Sequence, residues 1–340
     1  MMQRLQGGVI GLGVGEQHIL AYNEHPSFDV TTICDFNPKK LAEVSSRYPS
    51  LATTHNAYDV LRNPKINVVS IASYDSDHAQ QILEAIEKDK HVFVEKPLCL
   101  FLEEAKKIVA AHKQKPRLKI SSNLILRCSP RFLDLRARIH SGELGEIYSI
   151  EADYNYGRIE KLTKGWRGEA DYYSVFLGGG VHMVDLVRWL TGAEVEYVYV
   201  LANRIATSGS NFKFPDFVST LMQLDNGVCA KINANFGCVH PHFHALNVYG
   251  TNATFINDFP DARLIKSRSA EKCSEQIKTN YPGVAKGALL KKFLNEIIGE
   301  ELMDYTTKDV LRTMAVCFAV EEAIKTNEKV FVKPIEKQLI

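Results

Sequence analysis

From Gly8 to about Asn123, short β-branched runs alternate with amphipathic helical stretches, and this alternation leaves few folds open to the chain. Val9-Ile10 leads into a glycine-rich turn and then a helical segment that stops before Pro26. Val30-Thr31-Thr32-Ile33-Cys34 reads as a second strand ending at Asp35. Asn37-Pro38 then opens a helix, with Asn as the cap and Pro at the first helical position. Asn67 to Ala72 is nearly continuous in apolar residues, as expected of a strand covered on both faces. Asp77, with Gln80 three residues on, resembles a capping box for a helix running toward Lys88. His91 to Val94 is the next strand, Leu102 to Gln114 the next helix, and Leu118-Lys119-Ile120 another strand. The alternation predicts a parallel, doubly wound α/β sheet.

After Pro130 the texture changes. One helix, Pro130 to about His140, is followed by longer alternating runs: Glu146 to Tyr156, Glu194 to Ile205, Phe217 to Leu224, Val228 to Phe236 and Phe243 to Tyr249. Asp225-Asn226-Gly227 between two of them is a hairpin signal. Apart from Gly180 to Leu190, helices return only at Ala288 to Ile298 and Lys308 to Lys325, before a short strand at Val330 to Val332. This half reads as an α+β domain with a large, mainly antiparallel open sheet. The boundary falls at 123/124, giving a dinucleotide-binding domain over 1–123 and a substrate and oligomerisation domain over 124–340, whose C-terminal helix is able to pack back on the first.

The glycine-rich turn is Gly11-Leu12-Gly13-Val14-Gly15. Its first glycine permits the tight turn, its second lets backbone approach a pyrophosphate, and the helix beyond offers N–H groups and a partial positive charge. The third glycine comes one residue earlier than in the usual spacing, which would put it at Glu16. Asp35 lies 24 residues beyond Gly11, where an acidic residue binds the adenosine ribose and repels a 2′-phosphate. NAD is the expected cofactor. Lys39 and Lys40, either able to screen a phosphate, leave NADP open.

Composition excludes several function classes. The 340 residues are 45% hydrophobic and 24% charged, ordinary for a globular chain. Forty-one basic against 40 acidic side chains leave a net charge of +1, so neither nucleic acid nor an anionic membrane is an expected partner. The N-terminus has no apolar signal region and no apolar run nears the roughly 20 residues of a membrane helix. Seven cysteines, none in a C-x-x-C pair, predict reduced and mostly buried thiols, no metal site and a cytoplasmic protein.

Glu95-Lys96-Pro97 closes the strand that begins at His91, and ligands of open parallel sheets bind beyond the carboxyl ends of strands. Lys96 is thereby aimed at the reactive end of a cofactor, where partial desolvation brings an amine toward a useful pKa. Together Gly11 to His18, Glu95-Lys96-Pro97, and Gly178-Gly179-Gly180-Val181-His182-Met183-Val184-Asp185 resemble the Gfo/Idh/MocA oxidoreductases, over nearly the whole chain. The resemblance implies a Rossmann-type N-terminal domain and hydride transfer between nicotinamide and a secondary alcohol or ketone of a sugar, polyol or sugar nucleotide. It makes Lys96 and His182 the catalytic pair, although a lone histidine among Val181, Val184, Leu186 and Val187 would ordinarily be a core group. It also implies a homodimer or homotetramer formed through the C-terminal sheet.

Cofactor contacts are expected from Gly11, Gly13, Val14, Gly15, Asp35, Asn37, Ser73, Tyr74, His78, Glu95 and Lys96. Asn123, Arg127, Tyr154, Trp166, Arg167, Tyr172, Tyr173 and His182 are the expected substrate residues, and Asp185 is expected to anchor its helix. One departure stands out: many relatives carry an aspartate four residues before the histidine, and here that position is Gly178, leaving Asp171, Tyr172 or Tyr173 to supply the missing group. His240, His242 and His244 alternate and would line one face of a strand, turned to solvent or to a second subunit. The alternatives are an NAD-dependent glycoside hydrolase acting by transient oxidation, and a cofactor-binding regulator without turnover.

Overall fold

The computed structural model describes residues 4–269, 274–285, 287–301, 303 and 305–339. They divide into two compact units. The first holds the described residues up to Ile125, Ala285–Met314 and those from Pro334 on; the second holds Leu126–Val284 and Ala315–Lys333.

The first unit begins with β1 (Leu5–Ile10), α1 (Glu16–Asn23), β2 (Phe28–Cys34), α2 (Pro38–Arg47), β3 (Ala52–Thr54) and α3 (Ala57–Leu61). It continues with β4 (Val68–Ile71), α4 (His78–Glu87), β5 (His91–Val94), α5 (Leu102–Gln114) and β6 (Ile120–Ser122). The strands form one parallel sheet in the order β3-β2-β1-β4-β5-β6. Parallel pairing needs both faces covered, and the apolar runs supply it: all four residues of β4 are buried, as are Val92, Phe93 and Val94 of β5. Asn37 caps α2 as its sequence requires, accepting from the Lys39 and Lys40 N–H groups with Pro38 at the first turn. The Asp77 capping box does not form. Asp77 takes helical dihedrals and its side chain makes no cap hydrogen bond.

The second unit is built on α6 (Pro130–His140), β7 (Ile147–Asn155), two short turns α7 (Glu160–Thr163) and α8 (Trp166–Glu169), and α9 (Val181–Thr191). Then come β8 (Val195–Asn203), β9 (Phe217–Leu224), β10 (Cys229–Asn235), β11 (Phe243–Gly250), β12 (Thr254–Asn257), β13 (Ala262–Ile265) and β14 (Ser274–Ile277). The chain returns to the first unit through α10 (Ala288–Ile298), which packs on α1 and β5 and sets Phe293 5.7 Å from Phe93. α11 (Thr307–Thr326) begins in the first unit and ends in the second, where β15 (Val330–Phe331) follows.

Nine strands of the second unit form a sheet in the order β14-β13-β12-β11-β7-β10-β9-β8-β15. Every pairing is antiparallel except β7 with β10. The Asp225-Asn226-Gly227 turn joins β9 to β10, with Gly227 at φ 88°. Ile150, Ala152 and Tyr154 of β7, with Ile232 and Ala234 of β10, turn toward α9, whose residues from Val181 to Leu190 are all buried. One face is thus covered. The other carries Glu151, Lys231, Gln223 and Leu221. Of the six described cysteines, all thiols, Cys34, Cys99 and Cys317 are buried, whereas Cys128 and Cys238 are half-buried and Cys229 is exposed; Cys273 lies outside the described residues. The expectation of mostly buried thiols therefore holds for half of them.

Candidate active site

In the first unit the glycine-rich turn is held by contacts that a side chain would destroy. Gly11 adopts φ 83°, and a Cβ there would strike the Ala72 carbonyl. A Cβ on Gly15 would strike the Gly11 carbonyl and lie 3.1 Å from Val9 Cγ1, so this early third glycine is the one that lets α1 close on β1. Gly13 faces open space and Val14 is exposed. The turn presents bare backbone, as a pyrophosphate requires.

Asp35 is buried at the end of β2, accepting from the Leu12 N–H (2.8 Å) and the Asn37 N–H (2.8 Å). It thereby ties the glycine turn to the α2 cap. Lys40, one of the two cations that left NADP open, is ion-paired to Glu16 (3.3 Å) and Glu43 (3.5 Å). Arg47 joins the same Glu16 at 2.6 Å. Glu16, one residue past the last glycine, therefore balances the positive charge beside the turn. Phe36 and Tyr74, both exposed, meet with ring centroids 5.5 Å apart. Phe36 was not an expected site residue, although an exposed aromatic directly after Asp35 was a usable signal.

His78, expected at the cofactor, is engaged within the protein. It is fully buried, with Nδ1 2.8 Å from the Pro97 carbonyl and Nε2 3.3 Å from the Ser73 carbonyl, so it joins the segments that follow β4 and β5. The Ser73 hydroxyl donates to Gln81 (2.8 Å). Beyond β5, Glu95 receives the Asn123 amide at 2.6 Å and lies 3.2 Å from His18 Nε2. Burial pushes the Glu95 carboxyl up, but His18, Asn123 and the Lys96 charge hold it below the usual carboxylate range. Asn123 is thus a support for Glu95. Lys96, half-buried, follows directly on this fixed carboxylate.

In the second unit His182 sits in the first turn of α9 and is 6% exposed. Its ring stacks on Tyr154 of β7 at 5.9 Å and meets the His244 ring at 6.0 Å. Tyr154 and His244 are register partners across β7 and β11, and the Tyr154 ring also lies 5.1 Å from His242. This corrects the expected histidine row in part, since His242 is exposed as expected. Only His244 belongs to β11, where it shares the helix-covered face with Leu246 and Val248; His240 packs instead against Phe243 and Phe259. His244, beside Tyr154 and His182, was not among the expected site residues.

Trp166, Arg167 and Tyr173 form a second group. The Arg167 guanidinium lies 4.6 Å over Trp166, and its Nε donates to the Tyr173 hydroxyl at 3.0 Å. Gly178 lies in a π-helical turn, Phe176–Gly180, that leads into α9, and a Cβ on it would strike that same Tyr173 hydroxyl. The phenol fills the space in which a side chain at 178 would start. We expect Gly178→Ala to cost about 1–3 kcal/mol in a denaturant titration, and Tyr173→Ala in the same chain to recover part of it.

Two expected substrate residues are turned elsewhere. Arg127 is buried and forks onto Asp185 through Nε (2.8 Å) and Nη2 (2.7 Å), so it holds α9 in place, the anchoring expected of Asp185. Tyr172 donates to Glu321 Oε2 at 2.7 Å, while the Ser174 hydroxyl bonds the other Glu321 oxygen and accepts from the Phe176 (3.1 Å) and Leu177 (3.0 Å) N–H groups. Tyr172 therefore braces the turn that leads to His182. Among the described residues no group of three or more His, Cys, Asp or Glu side chains is arranged to hold a metal ion, and no helix is long and apolar enough to cross a membrane.

Residues 5–122 match the family model for the oxidoreductase family with an NAD-binding Rossmann fold, and residues 132–256 match the GFO/IDH/MocA C-terminal domain. The chain belongs to the Gfo/Idh/MocA oxidoreductases. Among curated members of that family, it is 25% identical over 332 residues to an inositol 2-dehydrogenase of Acidothermus cellulolyticus, covering 96% of this chain and 94% of that one. It is 26% identical over 345 residues to an inositol 2-dehydrogenase of Pseudarthrobacter chlorophenolicus, covering 98% and 97%. The fold is that of levoglucosan dehydrogenase solved with NADH and L-sorbose (TM-score 0.85, 20% identity, 98% of this chain and 100% of that one). It is equally that of myo-inositol 2-dehydrogenase from Lactobacillus plantarum (TM-score 0.84, 21% identity, 97% and 100%). As a Gfo/Idh/MocA protein this chain is an NAD-binding oxidoreductase, and the open backbone at Gly13 fits that cofactor.

Proposed function

We propose that the chain is an NAD-dependent dehydrogenase of a secondary alcohol on a sugar or polyol, the substrate class named for its inositol and levoglucosan dehydrogenase relatives. The observation that carries this reading is the Glu95-Lys96 pair: a half-buried ammonium follows a carboxylate fixed by two side chains, at the carboxyl end of a strand in a dinucleotide-binding sheet. NAD, when bound, accepts the hydride. Gly11, Gly13, Val14 and Gly15 would hold its pyrophosphate, Asp35 and Asn37 would hold its ribose, and Tyr74 would contact it beside Phe36.

Lys96 donates a hydrogen bond to the reacting hydroxyl oxygen, and its charge favours the alkoxide character that develops there. His182 takes the hydroxyl proton as the C–H bond yields its hydride and the carbonyl forms. Arg167 and Tyr173 bind hydroxyls remote from the reacting carbon. The side chains of Tyr197, Tyr199, Leu201, Leu221 and Phe331 share the open sheet face, with Leu201 74% and Phe331 60% exposed, and this supports a homo-oligomer formed through it. The test is NADH formation from NAD with a panel of cyclitols, aldoses and anhydrosugars. Turnover with at least one is expected; release of sugar from a glycoside without net NADH would favour the hydrolase.

A further inference from the structure

Tyr281 and His244 form a pair that plays no part in the chemistry of Lys96 and His182. The Tyr281 hydroxyl oxygen lies 2.5 Å from His244 Nδ1 and accepts the His244 backbone N–H at 3.0 Å. Arg131 stacks its guanidinium 5.0 Å from the Tyr281 ring, and Phe132 and Phe243 pack on the same ring at 5.8 and 4.8 Å, so the phenol is held from several sides.

The proton positions follow from what each group is able to accept. Among the described residues, the Tyr281 hydroxyl has one acceptor within reach of its proton, His244 Nδ1. Burial keeps the phenol protonated well above its ordinary range. Burial, with the neighbouring His242, pushes the His244 imidazole down to about 3, so it is neutral at any working pH. A neutral ring that accepts at Nδ1 carries its hydrogen on Nε2. Nε2 makes no hydrogen bond among the described residues, although the ring lies beside Tyr154, His242 and His182.

We propose that His244 is a substrate-binding donor, its Nε2–H aimed at a hydroxyl oxygen of the polyol, and that Tyr281 is the positioning residue that fixes this tautomer. The proposal rests on the dehydrogenase reading and adds to it a specificity element. Polyols differ in which carbons carry a hydroxyl on a given face, and a donor of fixed direction selects among them more sharply than a rotating one.

The test is nitrogen NMR of the whole protein labelled at histidine and loaded with NAD, with myo-inositol and glucose as probes. His244 is expected to show the Nε2–H tautomer, unchanged from about pH 5.5 to 8, and its Nε2 signal is expected to move with at least one probe. In parallel, Tyr281→Phe should mix the tautomers and His244→Phe should raise KM about 10-fold, the worth of one neutral hydrogen bond, with NAD affinity unchanged. His244→Gln, which retains an N–H donor, should recover part of that loss. An Nδ1–H tautomer, a charged ring near pH 6 or an Nε2 signal unmoved by either probe overturns the proposal. If no polyol reduces NAD, the dehydrogenase reading falls, but a moved Nε2 signal still upholds His244 as a polyol donor.

Discussion

Lys96→Ala is expected to lower kcat for polyol oxidation by about 10²–10⁴-fold, the usual worth of a positioned proton-transfer or hydrogen-bonding group, while NAD still binds. The expectation rests on how the residue is held. Glu95 is fixed by Asn123 at 2.6 Å and His18 at 3.2 Å, so the backbone from which Lys96 springs cannot drift without breaking both contacts. Removing the amine removes one donor to the reacting oxygen and its positive charge, and leaves the turn at Gly11 untouched. Lys96→Arg should not restore the rate, because a planar fork cannot replace a compact point charge. Calorimetric titration with NAD beside steady-state rates separates the two effects: a loss of rate with NAD affinity within about threefold supports the role, and equal losses in both would assign Lys96 to cofactor binding alone.

Arg127→Ala is expected to cost about 3–5 kcal/mol of unfolding free energy, the largest stability effect of any single change considered. The guanidinium and the Asp185 carboxylate are 4% and 1% exposed and meet through two hydrogen bonds. Taking away one partner leaves the other charge desolvated and uncompensated. Asp185→Ala should cost a similar amount, whereas the double replacement Arg127→Met with Asp185→Leu should recover much of it, since neither charge is then stranded. Because Asp185 stands one turn after His182, the single variants should also reduce turnover at temperatures where they remain folded. Denaturant midpoints for the two single variants and the double variant check this; additive losses would contradict it.

Much of this was legible in the sequence where a local rule governs. Asn37-Pro38 caps α2 because Asn accepts from two N–H groups and Pro lacks the one that would go unused. Asp225-Asn226-Gly227 turns β9 into β10 because glycine supplies the positive φ. Glu95-Lys96-Pro97 falls at a strand end because the apolar run stops there. Illegible residues are those whose partners lie far along the chain. Arg127 looked like a substrate ligand until Asp185, 58 residues on, took both ends of its fork. His244 looked like one of an exposed row, and only Tyr281, 37 residues later, gives it a direction. The empty position at Gly178 was visible, but not that Tyr173 fills it from five residues earlier. The short strands β3, β12, β13 and β14 were likewise silent, each too brief for an alternating pattern to declare itself.

The decisive measurement is the fate of one hydrogen. A polyol carrying deuterium on the carbon that is oxidised should, with NAD and this protein, deliver that deuterium to the nicotinamide ring, where mass spectrometry of the reduced dinucleotide finds it. Deuterium in the dinucleotide, with its transfer slowed by Lys96→Ala as much as turnover is, is the result expected. Ketone appearing without label in the dinucleotide, or no transfer from any polyol that binds, would contradict the hydride-transfer assignment.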